Sequence, residues 1–344
     1  LFRSGFDAFF QQQLGGELAT GPVPARVMGV HRSGLELNGD DLEGHWELSS
    51  HDAEHYPTVG DWVLWESDRK RIAQILDRKS LFRRLSPGGQ RTEQTIAANV
   101  DTAFIVSSCN RDFNEARLER YLAIARDAGV MAVVVLTKAD LCENPAGYAS
   151  RAQGLAHAVQ VETVNALEGD SLSNLLPWLG SGQTIALLGS SGVGKSTIVN
   201  TLSGKNTIRT QTIRENDARG RHTTTSRSMH RLDSGAWLVD TPGMRELQLV
   251  DVSAGLNNVF EEISSLARTC RFSDCQHEAE PGCAVQKAIA VGDIDAARLE
   301  RWRKLMREDA RNSESLAERR ARDRSTGRYI KSVLDEKNAQ KKRQ

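Results

Sequence analysis

The chain has 344 residues, 39% of them hydrophobic and 26% charged, with 45 basic and 45 acidic side chains and no formal net charge. That length exceeds one ordinary domain, and the charge balance excludes a chain drawn to polyanions by its overall field alone. No apolar run is long enough to cross a bilayer, and five cysteines are too few for a disulfide framework, so the expected location is the cytoplasm, with no membrane partner.

Residues 1–21 form an N-terminal extension. Phe2, Phe6, Phe9 and Phe10 alternate with Arg3 and Asp7, which predicts a short amphipathic helix over Leu1 to Gln13. It lacks the continuous apolar stretch and small-residue cleavage site of a signal peptide. Residues 22–88 read as β. Short runs around Val23 to Gly29, Leu35 to Leu37, Trp46 to Leu48, Val59 to Trp65 and Arg71 to Leu76 are separated by turn residues such as Ser33-Gly34. About five short strands suit a small barrel, either an OB-fold that binds oligonucleotides on one face or a plain structural barrel. Trp46, Trp62 and Trp65 are expected in or beside its core. His31, Arg32, Arg83 and Arg84 are the candidates for touching nucleic acid.

Pro87-Gly88-Gly89 marks a linker, and from 89 to 248 the pattern becomes α/β. Apolar strands are expected at 102–107, 131–136, 159–164, 184–188 and 236–239, with a helix from Glu115 to Gly129. Strands that alternate with helices predict a parallel sheet covered on both faces. The chemistry-bearing motifs follow the carboxyl ends of these strands, where such sheets bind ligands.

Gly189-Ser190-Ser191-Gly192-Val193-Gly194-Lys195-Ser196 fits G-x-x-x-x-G-K-[ST] between a strand and a helix that begins at Thr197. Its glycines let backbone N–H groups wrap a polyphosphate at a helix N-terminus. Lys195 is expected on the β- and γ-phosphates, and the Ser196 hydroxyl on Mg²⁺. Thr137-Lys138-Ala139-Asp140 selects the base. The Asp140 carboxylate accepts from guanine N1–H and the N2 amine, a donor pair that adenine lacks, while the Lys138 stem lies along the purine. Thr137 stands where the commoner motif has Asn. Asn165-Ala166-Leu167 occupies the place of a third base-contacting loop, though its letters match poorly.

Asp240-Thr241-Pro242-Gly243 completes the set, with Asp240 on Mg²⁺ and the Gly243 N–H sensing the γ-phosphate. Between them lies Gly220-Arg221-His222-Thr223-Thr224-Thr225. Thr224, or else Thr223 or Thr225, is expected to cap Mg²⁺ and the γ-phosphate. Met244 follows Gly243, so no Gln is there to orient water. His222 is the candidate for that task, and its alternative role is to order the loop. The guanine motif precedes the P-loop, which precedes Asp240. This is a permutation of the usual order, and it makes the switch strand lead directly into the C-terminal part.

Residues 249–310 hold Cys270, Cys275, His277 and Cys283, a C-x₄-C-x-H-x₅-C set. Three thiolates and one imidazole make a closed tetrahedral site for one structural Zn²⁺. Helices are expected at Ala284 to Ala290 and Ile294 to Met306, joined at Gly292. In the tail, 311–344, ten basic side chains stand against three acidic ones from Arg319 onward. That segment either holds a polyanion or forms a solvated helix.

The permuted order, the Gly-Arg-His-Thr-Thr-Thr loop, Asp-Thr-Pro-Gly-Met-Arg-Glu at 240–246, and Cys275-Gln-His277-Glu with Glu280-Pro-Gly-Cys283-Ala-Val together resemble the ribosome small-subunit-dependent GTPase A family (RsgA, also called YjeQ). The resemblance spans about residues 22 to 310. It implies three parts in order: an OB-fold, a circularly permuted P-loop GTPase and a mainly helical zinc domain. It further implies Mg²⁺-dependent GTP hydrolysis, late maturation of the 30S subunit, binding to 16S ribosomal RNA and stimulation by the subunit. A monomer is expected. The alternative is a GTP-gated RNA-binding switch whose turnover is incidental; a weaker one is an ATP-using P-loop protein.

Overall fold

In the computed structural model, the structure describes residues 4–14, 21–31, 33–40, 42–47, 56–85, 93–203, 227–240 and 247–313. The predicted N-terminal helix is a single turn, α1 (Ala8–Gln11), capped by the Asp7 carboxylate on Phe9 N–H and followed by a 3₁₀ turn at Gln12–Leu14. A one-turn helix is too short to persist on its own. Burial of Phe6 and Phe10 against Trp62 and Leu76 holds it in place.

Strand β1 (Val23–Val30) is the centre of an antiparallel sheet. It pairs on one side with β2 (Leu35–Asn38), which pairs with β3 (Glu43–Trp46). On the other side it pairs with β4 (Trp62–Glu66), which pairs with β5 (Arg71–Ile75). Alternation works as period 2 demands: Ala25, Val27, Leu35, Leu37, Val63 and Trp65 turn inward to one apolar cluster. Trp62 and Trp65 are fully buried and Trp46 is half-buried, its ring centroid 5.1 Å from that of Trp65. The tryptophans are therefore packing residues.

Next come β6 (Leu81–Leu85) and β7 (Glu93–Ala98), which pair antiparallel, so the stretch containing Pro87-Gly88-Gly89 connects two partnered strands. Beyond β7, the strands β8 (Thr102–Ser108), β9 (Met131–Thr137), β10 (Gln160–Thr163), β11 (Thr184–Leu188) and β13 (Trp237–Asp240) lie in the order β10-β9-β8-β11-β13, all parallel. The expected parallel sheet is present, but the sheet as a whole is mixed. Strand β12 (Arg227–Arg231) runs antiparallel to β13 and pairs at Ser228 and Arg227 with Gly29 and Val30 of β1. One sheet thus runs from the N-terminal strands into the α/β half. Arg26 of β1 reinforces the join. Fully buried, it donates to Thr184 Oγ1 at 2.7 Å and to the Ser4 carbonyl. Burial lowers its pKa to about 10, against the opposing pull of Asp101 and Asp61.

Both faces of the parallel strands are apolar, as strands covered on both sides require. Ala103, Ile105, Val134 and Leu136 face one core and Phe104, Val106, Val133 and Val135 the other. The first core is closed by α2 (Glu115–Asp127), capped by Asn114, and by α3 (Pro145–Gln153), capped by Asn144 with Pro at its first turn. The second is closed by a 3₁₀ stretch, Asp170–Trp178, and by α4 (Lys195–Leu202).

Helices α5 (Ser253–Val259), α6 (Glu261–Ala267), α7 (Ala284–Val291) and α8 (Ala296–Ser313) make the C-terminal part mainly helical. Gly292, φ +85°, ends α7 as anticipated. Helix α8 runs seven residues past the expected end at Met306. Its last turns hold the segment that follows β13: Asp309 accepts from Val252 N–H at 3.1 Å, and Asn312 donates to the Leu249 carbonyl at 2.9 Å. None of the described helices is long and apolar enough to cross a membrane.

Candidate nucleotide site and metal centre

Because the five strands are parallel, the carboxyl ends of β9, β11 and β13 lie on one edge of the sheet. At or just after those ends stand Thr137 to Asp140, Gly189 to Ser196, and Asp240. The motifs far apart in sequence are thus brought to one edge in the order their strands take.

The glycine pattern of the P-loop has three separate causes. At Gly189, φ +138°, a Cβ would sit 2.3 Å from the Val106 carbonyl oxygen, so close backbone packing against β8 excludes any side chain. Gly194, φ +98°, caps α4, and a Cβ there would meet Thr137 Oγ1 at 3.3 Å. Gly192 needs only its positive φ of +80°, since nothing crowds it. Lys195 is half-buried and its ammonium folds onto the loop, donating to the Gly189 carbonyl at 2.6 Å and to that of Ser190. Ser196 and Thr197, in the first turn of α4, are half-buried; Ser191 is exposed and Val193 is buried beneath the loop.

Thr137 is wholly buried at the end of β9, and its hydroxyl donates to the Val193 carbonyl at 2.6 Å, with the Ser107 carbonyl at 3.1 Å. Lys138 takes a left-handed conformation, φ +58°, and its Nζ donates to the Gly192 carbonyl at 3.0 Å. Thr137 and Lys138 therefore clasp the P-loop at two successive carbonyls, and the 3₁₀ turn Ala139–Leu141 presents Asp140 exposed. Asn165 to Leu167 also join the edge. Asn165 accepts from Leu167 N–H at 3.1 Å, and Thr201 of α4 donates to the Ala166 carbonyl at 2.8 Å. Thr201 is a tie that sequence reasoning missed; a threonine inside a helix gives no local signal of a partner 35 positions away. Asp240 ends β13 and is exposed. His222, Thr223, Thr224, Thr225 and Gly243 lie outside the described residues.

In the C-terminal part Cys270, Cys275, His277 and Cys283 converge, with one ligand atom from each within 4.8 Å of the others. Cys270 Sγ is 3.8 Å from Cys283 Sγ, and His277 Nδ1 is 3.5 Å and 3.4 Å from these two sulfurs. Tetrahedral zinc with ordinary bond lengths of about 2.3 Å to sulfur and about 2.0 Å to nitrogen sets ligand–ligand edges of roughly 3.5–3.8 Å, so the donor set fits that ion. No disulfide competes for the thiols. The surrounding shell is also built: Gln286 donates to the His277 carbonyl, and the Glu280 carboxylate accepts from the N–H groups of Gln276, Glu278 and Ala279. These bonds hold the Glu280 carboxyl below the usual carboxylate range. Glu280 was visible in sequence only as part of a resemblance; its work is to fold the ligand loop.

A parallel sheet whose P-loop is clasped at one edge by the turn after β9, in this chain order, has the fold of a circularly permuted GTPase. The solved structure of YjeQ from Thermotoga maritima superposes with a TM-score of 0.61 at 24% identity, covering 83% of this chain and 98% of that one. YloQ, described as a circularly permuted GTPase, gives 0.59 at 19% identity, covering 87% and 99%. Residues 75–250 match the model of the RsgA GTPase family. A small ribosomal subunit biogenesis GTPase RsgA 2 from Vibrio parahaemolyticus is 48% identical over 333 residues, which cover 97% of this chain and 92% of the relative. The RsgA of Mesorhizobium japonicum is 48% identical over 316 residues, 90% of each. The chain belongs to the RsgA GTPase family, whose members hydrolyse GTP.

Proposed function

We propose that this chain converts GTP to GDP and phosphate as a late maturation factor of the small (30S) ribosomal subunit, bound to 16S ribosomal RNA and stimulated by the subunit. The observation that carries the nucleotide reading is the clasp of Thr137 and Lys138 on the P-loop, which fastens the base-reading segment to the phosphate cradle. The relatives named as small-subunit biogenesis GTPases, matched along nearly their whole length, support the choice of partner.

In this reading Asp140 accepts from guanine, the backbone from Gly189 to Thr197 cradles the phosphates, and Lys195 exchanges its two carbonyl contacts for phosphate oxygens. Ser196 and Asp240 would hold Mg²⁺, whose positive charge would offset that of the phosphates when bound. Thr224 and Gly243 sense the γ-phosphate, and His222 positions water. The segment after β13 is tied to α8, so release of the phosphate is passed to the zinc-binding part. Residues 22–88 act as an OB-fold, 89–248 as the GTPase, 249–310 as the zinc domain around one structural ion, and 311–344 as a basic tail. The chain works as a cytoplasmic monomer.

The test is GTP turnover by the purified chain, alone and with 30S subunits, 50S subunits or unrelated RNA. A large rise with 30S alone is expected. A flat response overturns the stimulated-enzyme reading and leaves a GTP-gated RNA-binding switch.

A further inference from the structure

A second set of metal-ligating side chains lies at the opposite end of the molecule's sequence, on the N-terminal sheet. Register places it. Gly29 of β1 stands opposite Glu36 of β2, and Glu36 stands opposite His45 of β3, so the three form one row across three strands. His31, two residues beyond Gly29, belongs to the same face. One ligand atom from each of His31, Glu36 and His45 lies within 4.8 Å of the others.

Three details separate this group from a chance surface trio. Gly29 keeps the place open: a Cβ there would come within 2.7 Å of Glu36 Oε2 and 2.9 Å of His31 Nε2. His31 Nε2 lies 3.0 Å from Glu36 Oε1 but off the line of a hydrogen bond, and it is a solvent-shielded nitrogen without a hydrogen-bond partner. Ser33, on the turn between β1 and β2, contacts the His45 ring at 3.3 Å and restrains it. An imidazole nitrogen and a carboxylate oxygen held at ion-pair distance without an aligned N–H between them call for a cation that both can ligate.

We propose that His31, Glu36 and His45 form a second metal site that takes a divalent transition-metal ion of the zinc class. Two neutral imidazoles and one carboxylate are the donors such ions prefer, and soft thiolates are absent. Three protein ligands leave an open position, unlike the closed Cys₃His set, so the site is the weaker and more exchangeable of the two. The ion would pin β1, β2 and β3 together at the rim of the sheet and offer its open position to water or to an oxygen donor of a partner.

The experiment uses the full chain with the Cys₃His centre already filled by zinc. It is dialysed against Co²⁺, and bound metal is counted per chain. The wild type is expected to take up one cobalt while retaining its zinc, and His45→Ala and the double variant His31→Gln/His45→Gln are expected to lose that cobalt. No uptake by the wild type, or equal uptake by variants that still bind GDP, overturns the proposal. X-ray absorption at the cobalt edge of the wild type keeps the test decisive if a variant misfolds. A shell of nitrogen and oxygen with imidazole scattering is expected; a sulfur shell shows exchange into the cysteine site and refutes the second one.

Discussion

The hydroxyl of Thr137 donates to the carbonyl of Val193 at 2.6 Å, joining the end of β9 to the P-loop across 56 positions of sequence. The residue that departs from the commoner guanine motif is therefore the one that fastens the two halves of the site. Thr137→Val keeps the shape and removes the donor, leaving the buried Val193 carbonyl unpaired. The expected cost is about 1–3 kcal/mol of stability, with GDP affinity weakened by roughly tenfold. Thr137→Ser restores both. Denaturant unfolding and nucleotide titration read the result; a Val variant equal to wild type in both assays removes the clasp from the account.

Lys195→Ala and Ser196→Ala are expected to lower GTP hydrolysis by at least about a hundredfold while the fold survives, because phosphoryl transfer depends on charge held in place. Single-turnover assays check this. Unchanged rates in both variants refute the P-loop assignment.

Asp140→Asn tests the base reading more sharply, since an amide donates where the carboxylate accepted. GTP affinity should fall by about 10⁴-fold, and xanthosine triphosphate, which carries a carbonyl where guanine has its amine, should bind better to the variant than GTP does. Competition between the two nucleotides measures the switch. A variant that still prefers GTP assigns guanine selection to another group.

Where the sequence was legible, the reason was local chemistry or strict period. The runs at 102–107 and 131–136 read as buried strands, and each strand extends one residue further in the structure; the P-loop and the Cys₃His set have spacings that carry their own chemistry. Elements whose existence depends on distant partners were not legible. Strand β12, Arg-Ser-Met-His-Arg, has no apolar alternation and is a strand because β13 and β1 flank it. Helices α3, α5 and α6 have at most nine residues, too few for a periodic pattern to stand out. The N-terminal row of His31, Glu36 and His45 was invisible for the same reason: it exists only once register aligns three strands.

Zinc removal should act on the C-terminal part as a unfolding event, since ligand loops rarely stand without their ion. A chelator is expected to release one tightly held zinc and to raise hydrogen exchange in 270–291 while β8 and β9 remain protected. The pH sign follows from the ligands. Thiolates and neutral imidazole bind the ion, so protons compete and zinc affinity falls as pH falls. Metal content measured after dialysis at descending pH checks this. Exchange in 270–291 that is unmoved by chelation denies the ion a structural role.

Glu119 of α2 is fully buried and meets Arg298 and Arg301 of α8, at 3.0 Å and 2.9 Å. Arg298 also donates to the carbonyls of Leu155 and Val259 and lies over the Phe260 ring, so one guanidinium ties the C-terminal helices to the GTPase half. Burial pushes the Glu119 carboxyl up to about 7 despite both arginines. The folded chain then holds this proton more tightly than the unfolded chain. The contribution of Glu119 to stability is full below its ordinary value near 4.5 and declines as pH rises through about 7. Glu119→Gln cannot titrate, so the wild type should lose stability relative to this variant across that window, by up to about 3 kcal/mol. Arg298→Ala should cost about 1–3 kcal/mol near neutral pH, because it leaves the carbonyls of Leu155 and Val259 without their donor while Arg301 still holds Glu119. Urea unfolding of the three proteins at several pH values decides the matter. Parallel stability curves for wild type and Glu119→Gln would mean that the arginines, not burial, set the charge of this carboxylate.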